Sequence, residues 1–238
     1  MDLKKRLIEQ SEIYLFECSK ERSGIDNYQF ENTQIPKVNE FVAFLKYFQI
    51  PSPYKFTTIS GELNLISDLS LKENILMNFN SDSLTSSKNH QFDEIIAGIQ
   101  NPYIAPLLQY FHEGDLKPNE ASKEAIKCAE LLRALLSDSH FIFMESPEKD
   151  LSYQLFSIFL KALKHHCKDK VVNVFISSPN PELWLNEAHF MIKRNEKFQF
   201  VVEKAKIKDP MLPIEKNERP LESLNFKIPE PKSKKDAA

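Results

Sequence analysis

Glycine is scarce in this sequence. The 238 residues contain four, at Gly24, Gly61, Gly98 and Gly114, and no two lie close together. A phosphate loop of the GxxxxGK[ST] type needs clustered glycines, because its backbone N–H groups must wrap the phosphates without a Cβ in the way. No such motif occurs. Cysteine is scarce too. Cys18, Cys128 and Cys167 are an odd and scattered set, which argues against a disulfide framework and for reduced thiols in a cytosolic setting. No run of about 18 apolar residues exists, so nothing reads as a membrane-spanning helix. Met1–Gln10 is charged and has no apolar stretch, so it does not read as a signal peptide. A basic excess is also missing: net charge is −3 and the pI about 6.1. Nucleic acid is therefore not an expected partner.

What is present is apolar material, 42% of the chain, enough for one good core or a core with a small subdomain. The organising stretch is 120–203. Ala121–Leu136 predicts a helix with Ala125, Ala129, Leu132 and Leu136 on one face. Phe141–Met144 predicts a buried strand that runs into the acid Glu145. Ser152 caps a helix over 153–166, striped by Leu155, Phe156, Phe159 and Leu163. Val171–Ile176 predicts a second buried strand ending in a polar turn. Pro181 starts a short helix through Ala188. Phe190–Lys193 and Phe198–Glu203 predict a hairpin. Helix and apolar strand in alternation imply a mainly parallel α/β sheet that works at its strand C-termini.

The N-terminal half is less regular. Met1–Gln10 is a helical turn or a frayed end. Ile13–Cys18 and Phe56–Ile59 predict strands, and Glu21–Gln34 reads as polar and turn-rich. Lys37–Phe48 has helical spacing, closed by Pro51 and Pro53. Ser70 predicts the cap of a helix over Leu71–Phe79, with Glu73 completing a capping box. Asn80–Asn89 reads as a surface loop. Phe92–Ile99 and Ile104–His112 predict two short helices. After Lys204 the composition shifts to prolines and charges. The expected division is 1–205 as one domain and 206–238 as a disordered or docking tail.

Five segments in order resemble the nucleotide-binding domain of an ATP-binding cassette (ABC) transporter. Asp68-Leu-Ser-Leu-Lys-Glu-Asn-Ile75 resembles the segment after that family's glutamine loop. Leu132-Arg-Ala-Leu-Leu136 resembles the end of its signature helix. Phe141-Ile-Phe-Met-Glu-Ser-Pro-Glu-Lys-Asp-Leu-Ser152 is similar to its acidic strand and the loop after it. Val174-Phe-Ile-Ser-Ser-Pro-Asn-Pro-Glu182 is similar to its switch strand, and 190–203 to its closing hairpin. The resemblance covers 11–204. It implies a P-loop-NTPase-like α/β fold, with an N-terminal β portion and a helical subdomain at about 70–120.

The same resemblance puts the family's working groups on altered residues. The phosphate loop falls on Gln34-Ile-Pro-Lys-Val-Asn39, which keeps Lys37, while Pro36 removes an N–H donor. Lys37 is then a phosphate contact or a solvated lysine at a helix start. The signature falls on Ala121-Ser-Lys-Glu-Ala125. Ser122 survives there as a remnant or as an N-cap residue, and Lys123 and Glu124 replace glycines. The metal-side Asp falls on Glu145, still able to hold Mg²⁺ through water. The catalytic Glu falls on Ser146, the D-loop Asp on Ser152, the switch His on Pro179, and the Q-loop Gln on or near Gly61. Sliding the strand by one would place Met144 and Glu145 at the two acidic positions instead. Either register loses one acid.

The expectation is a catalytically inactive, bacterial ABC-ATPase-like subunit, a pseudo-ATPase with no catalytic residues and no metal site. Lys37, Ser122 and Glu145 would be its nucleotide-side remnants. ATP and Mg²⁺ are not expected as cofactors. The implied partner is a transporter-like membrane protein or an active ABC ATPase subunit, with a homodimer as a further arrangement. The implied place is cytoplasmic, peripheral on the inner face of the membrane. The alternative is a residual nucleotide-binding sensor or weak ATPase using Lys37 and Glu145. An unrelated α/β scaffold without the arm at 70–120 is a third reading. Phe30, Phe41 and Tyr28 are candidates to fill the pocket. Other constellations read blandly. His165-His166-Cys167 suits a helix C-terminus better than a metal, and Cys128 with His140 makes a poor nucleophile pair. Trp184 is core or a contact anchor. Phe92, Tyr103, Tyr110 and Phe111 are packing residues or a docking surface.

Overall fold

Ile13–Phe16 (β1) is buried at every position, as expected of a strand covered on both faces. The computed structural model describes residues 3–25, 28–50, 53–60, 65–77, 92, 96, 98–109 and 111–205. The remaining strands are β2 Ser19–Ile25, β3 Tyr28–Gln34, β4 Phe56–Ile59, β5 Phe141–Glu145, β6 Asn173–Ser177, β7 Phe190–Arg194 and β8 Phe200–Lys204. The helices are α1 Leu3–Glu9, α2 Val38–Tyr47, α3 Leu71–Leu76, α4 Ile104–Gln109, α5 Lys123–Leu136 and α6 Tyr153–Asp169. Six strands form one sheet in the order β4-β5-β6-β1-β7-β8. The neighbours from β4 to β7 are parallel, and β8 returns antiparallel to β7. This is the mainly parallel α/β architecture the sequence implies.

Alternation along the strands gives the sheet two chemically different faces. Tyr14, Phe16, Phe143 and Phe175 join Phe41, Phe44 and Leu45 of α2 in an aromatic core. The Phe41 and Phe143 rings stack with centroids 5.3 Å apart. Phe41 is thus core and does not line the pocket it was a candidate to fill, while the side chains of Tyr28 and Phe30 lie outside the described residues. Leu15, Ile142, Met144, Val174 and Ile176 join residues of α5 and α6 in an aliphatic core. From Ala125 to Leu136, α5 is buried on every side, where its pattern predicted one apolar face. Its charges are accommodated in part by pairing, with Lys127 3.3 Å from Glu130.

Several boundaries differ from expectation. The polar stretch 21–34 is not an open loop: β2 and β3 pair antiparallel from Ser19 with Gln34 to Ile25 with Tyr28. Backbone pairing does not require apolar alternation, so composition alone hid it. The predicted helix 181–188 is a single 3₁₀ turn, Pro181–Leu183, followed by turn hydrogen bonds to Ala188. α6 runs on to Asp169, and within 1–10 Leu3–Glu9 forms α1. The capping box at α3 forms as predicted, Ser70 Oγ accepting from Glu73 N and Ser70 N donating to the Glu73 carboxylate. α3 packs against α5. The stretch 80–89 expected to be a loop, Tyr110, most of 92–99 and the stretch 206–238 expected to be a tail lie outside the described residues.

Candidate functional site

The connection leaving β1 runs to the β4 side of the sheet, whereas the one leaving its neighbour β6 crosses to β7 on the other side, so the winding reverses between β1 and β6. Crevices at the carboxyl ends of strands beside such a reversal are where open α/β sheets bind ligands. A cleft of about 420 Å³ opens there, lined by Glu17 and Cys18 after β1, by Pro36, Lys37 and Glu40 at the start of α2, and by Arg194 at the end of β7. Two of the residues the sequence singled out meet at this edge. Lys37 is the N-cap of α2, with extended backbone and no side-chain cap. Its ammonium donates to Glu145 Oε1. Glu145 ends β5 and is only 5% exposed, so Lys37 closes over a carboxylate set into the sheet edge. In register with Glu145 stands Ser177, whose buried Oγ has no partner among the described residues.

The second cation of the cleft is also held by a carboxylate: Arg194 Nε donates to Glu40 Oε1 at 2.6 Å. Cys18 Sγ donates to Ser178 O at 2.9 Å, and burial pushes its thiol pKa up. Ser146, at the position matched to a catalytic Glu, is buried and has a left-handed φ of 48°. Its N–H donates to Ser177 O at 2.7 Å, which ties the loop after β5 to β6. Glu148 was missed by sequence reasoning and joins the same loops more strongly. It accepts from Ser178 Oγ, from Asn180 Nδ2 at 3.3 Å and from Trp184 Nε1 at 3.1 Å. Nothing local in the sequence marks Glu148, since its partners lie 30 to 36 positions further along the chain. Trp184 is fully buried, edge-on to Phe156, and is therefore core.

Ser122 does not line the cleft. It caps α5, its Oγ accepting from Ala125 N at 3.2 Å. Glu124 accepts from Ser152 N at 2.7 Å, so the starts of α5 and α6 are linked by the residue standing where the family has a glycine. Gly61 lies outside the described residues. The other candidate groups do not assemble. His165 Nδ1 is 2.7 Å from Asp169. His166 is buried and its pKa is driven down to about 4 by desolvation. Burial pushes Cys128 and Cys167 each up to about 12. His140 sits at the opposite sheet edge, where Nδ1 accepts from Lys55 N. Among the described residues no group of His, Cys, Asp and Glu is placed to hold a metal ion, and no helix is long and apolar enough to cross a membrane.

No family model and no curated protein matches the chain by sequence. Solved structures match by fold. The dimeric cassette MJ0796, a bacterial ABC transporter cassette seen with ADP and Pi, superposes with a TM-score of 0.53 at 14% identity over 84% of this chain and 88% of its own. An inward-facing ABC transporter of the metal-chelate type gives 0.50 at 13%, covering 82% of this chain and 72% of that one. The archaeal ribosome recycling factor aABCE1, solved with the stalk protein aP1, gives 0.53 at 13%, covering 82% of this chain and 34% of that one. At such identities the likeness speaks for the fold, which is that of an ABC-type P-loop NTPase domain.

Proposed function

We propose that this chain, which carries an ABC-ATPase-like fold, is a pseudo-ATPase: a structural or regulatory subunit that does not turn over ATP. The observation that carries the reading is the state of the cleft. The lysine at the start of α2 is spent on Glu145, and Arg194 is spent on Glu40. A triphosphate would have to compete with buried or half-buried carboxylates for both cations. It would also find a β-hairpin and Pro36 in the segment between β1 and α2, in place of clustered glycine N–H groups. Ser146 and Pro179, at the positions matched to the attacking-water base and the switch histidine, have no side chain able to act as a general base at neutral pH.

The working role is then assembly. The fold would serve as a rigid cytoplasmic partner for a transporter-like membrane protein or for an active ATPase paralogue, peripheral to the inner face of the membrane. The dimeric and transporter-bound states of the fold neighbours support partnership as its mode of action. The meeting of Lys37 and Glu145 at the switch-point cleft favours one alternative, a residual nucleotide sensor. Titration calorimetry and thermal melting with MgATP at millimolar concentration, on the wild type and Lys37→Ala, separate the two. The pseudo-ATPase reading expects no heat and no melting shift in either protein. Binding that Lys37→Ala abolishes would replace it with the sensor, since a ligand for the folded state raises the melting temperature.

A further inference from the structure

We infer that this chain associates head to tail with copies of itself, the Phe198 ring of one copy seating in an apolar cleft on the opposite sheet edge of the next. The anchor is a strained and displayed aromatic. Phe198 stands in the turn between β7 and β8, 80% exposed, with φ at 58°. Bulky residues seldom adopt left-handed backbone, because Cβ crowds the following carbonyl, and such strain persists where the surroundings over-determine it. Here they do. Phe198 N donates to Asn195 O at 2.8 Å, and Asn195 Oδ1 accepts from Lys197 N and Gln199 N at 3.0 and 2.9 Å. The Arg194 guanidinium donates to Phe198 O while its Nε holds Glu40. This turn is built to hold out a ring that contributes nothing to its own core.

The receptor lies at the other end of the strands. A cleft of about 160 Å³ is walled by Leu7, Ile8, Ile50, Pro53, Tyr54, Phe141 and Val171, with His140 as its polar member. Its Tyr54 and Phe141 rings meet edge-on at 5.6 Å, and Ile8 and Val171 are 49% and 51% exposed. Cavities of about 150 Å³ with aliphatic and aromatic walls hold one benzene ring. The volume therefore suits a single phenyl side chain. These wall residues begin or precede β1, β4, β5 and β6, whereas Phe198 follows β7. The two features sit on opposite sheet edges, roughly 15 Å apart along strands that rise about 3.3 Å per residue. Phe198 cannot reach the cleft of its own molecule, and the Phe198 of a second copy can. Because the two surfaces differ, the contact is heterologous and extends a stack instead of closing a two-fold dimer. One ring in one cleft buries far less than the ~1,000 Å² of a durable interface. Association should therefore be weak, with half-saturation at roughly hundreds of micromolar.

Sedimentation velocity on the full chain between roughly 10 µM and 1 mM tests this. The expected weight-average mass rises with concentration from one chain, 27.7 kDa, past that of two. Phe198→Glu and Val171→Glu should each stay monomeric. Mixed in equal amounts they should recover one contact, the intact cleft of the first taking the intact ring of the second, and stop at two chains. Phe198→Gly separates loss of the ring from loss of the fold: freed of strain, it should melt at or above the wild-type temperature yet remain monomeric. A wild type that stays monomeric throughout overturns the inference. So does a Phe198→Glu variant that associates normally, or a mixture that fails to recover the pair.

Discussion

Lys37 and Glu145 leave different things behind when each is removed. Lys37 is the more exposed partner, 62% for its side chain against 6% for Glu145. Glu145→Gln frees a lysine that water can solvate, and the expected loss is within about 1 kcal/mol. Lys37→Ala strands a buried carboxylate, and the expected loss is larger, about 1–3 kcal/mol. Urea denaturation of the two variants reads the order directly, and a reversed order would mean that Glu145 is held by something other than Lys37. His166 gives a pH signature. Its folded pKa, about 4, lies below the ordinary 6.5 because burial disfavours the imidazolium. Between those values the unfolded chain binds a proton that the native state refuses, so stability is present above pH 6.5 and lost as pH falls toward 4. The loss should be about 3 kcal/mol. His166→Leu should flatten the acid limb of the stability profile in that window. These three residues also mark the limits of reading a sequence. Lys37 and Glu145 were legible as candidates because the family resemblance lays a working position on each. The burial of His166 was not, since it depends on segments distant in the chain, 99–101 and the end of α5, that gather around the end of α6.

At the scale of elements, Asn74 shows how a loop is made part of a helix. It is fully buried inside α3, accepts from Ile66 N at 2.7 Å and donates to Ile66 O, Leu69 O and Ser70 O. Asn74→Ala would take the side-chain partner from Ile66 N and Leu69 O, while Ile66 O and Ser70 O keep the bonds they accept from Leu69 N and Asn74 N. The expected cost is about 2–3 kcal/mol, readable by chemical denaturation, with early loss of hydrogen-exchange protection over 66–76. A cost near zero would mean that the loop finds water as readily as it finds Asn74. The elements legible in the sequence were those with a strong period or a strong cap. β5 and β6 announced themselves as apolar runs, α6 through Ser152 and its stripe, and α3 through Ser70 and Glu73. The β2–β3 hairpin was not legible, because its residues are mostly polar and lack the apolar alternation that marks a strand. The one local hint was Asp26-Asn27 between the two runs, residue types common in two-residue hairpin loops. The depth of α5 was not legible either. A helix enclosed on all sides normally lacks charge, and Lys127 with Glu130 disguised this one.

For the whole molecule, a sheet with one aromatic and one aliphatic face explains how the fold persists at 13–14% identity to its structural neighbours. Packing asks each buried position to be apolar and of fitting volume, and tolerates wide substitution on those terms. The chemistry at a sheet edge is under no such tolerance. One feature of that edge reaches beyond stability. The chain has a single tryptophan, and its indole N–H is fastened to Glu148 between the loops that follow β5 and β6. The protein therefore carries one intrinsic optical reporter, placed beside its candidate site and free of background from any other indole. A nucleotide, a membrane subunit or a second copy that shifts either loop must alter the indole's polarity and hydrogen bonding. Emission wavelength and quenching then become a direct signal of engagement at that edge, obtainable from the unlabelled chain.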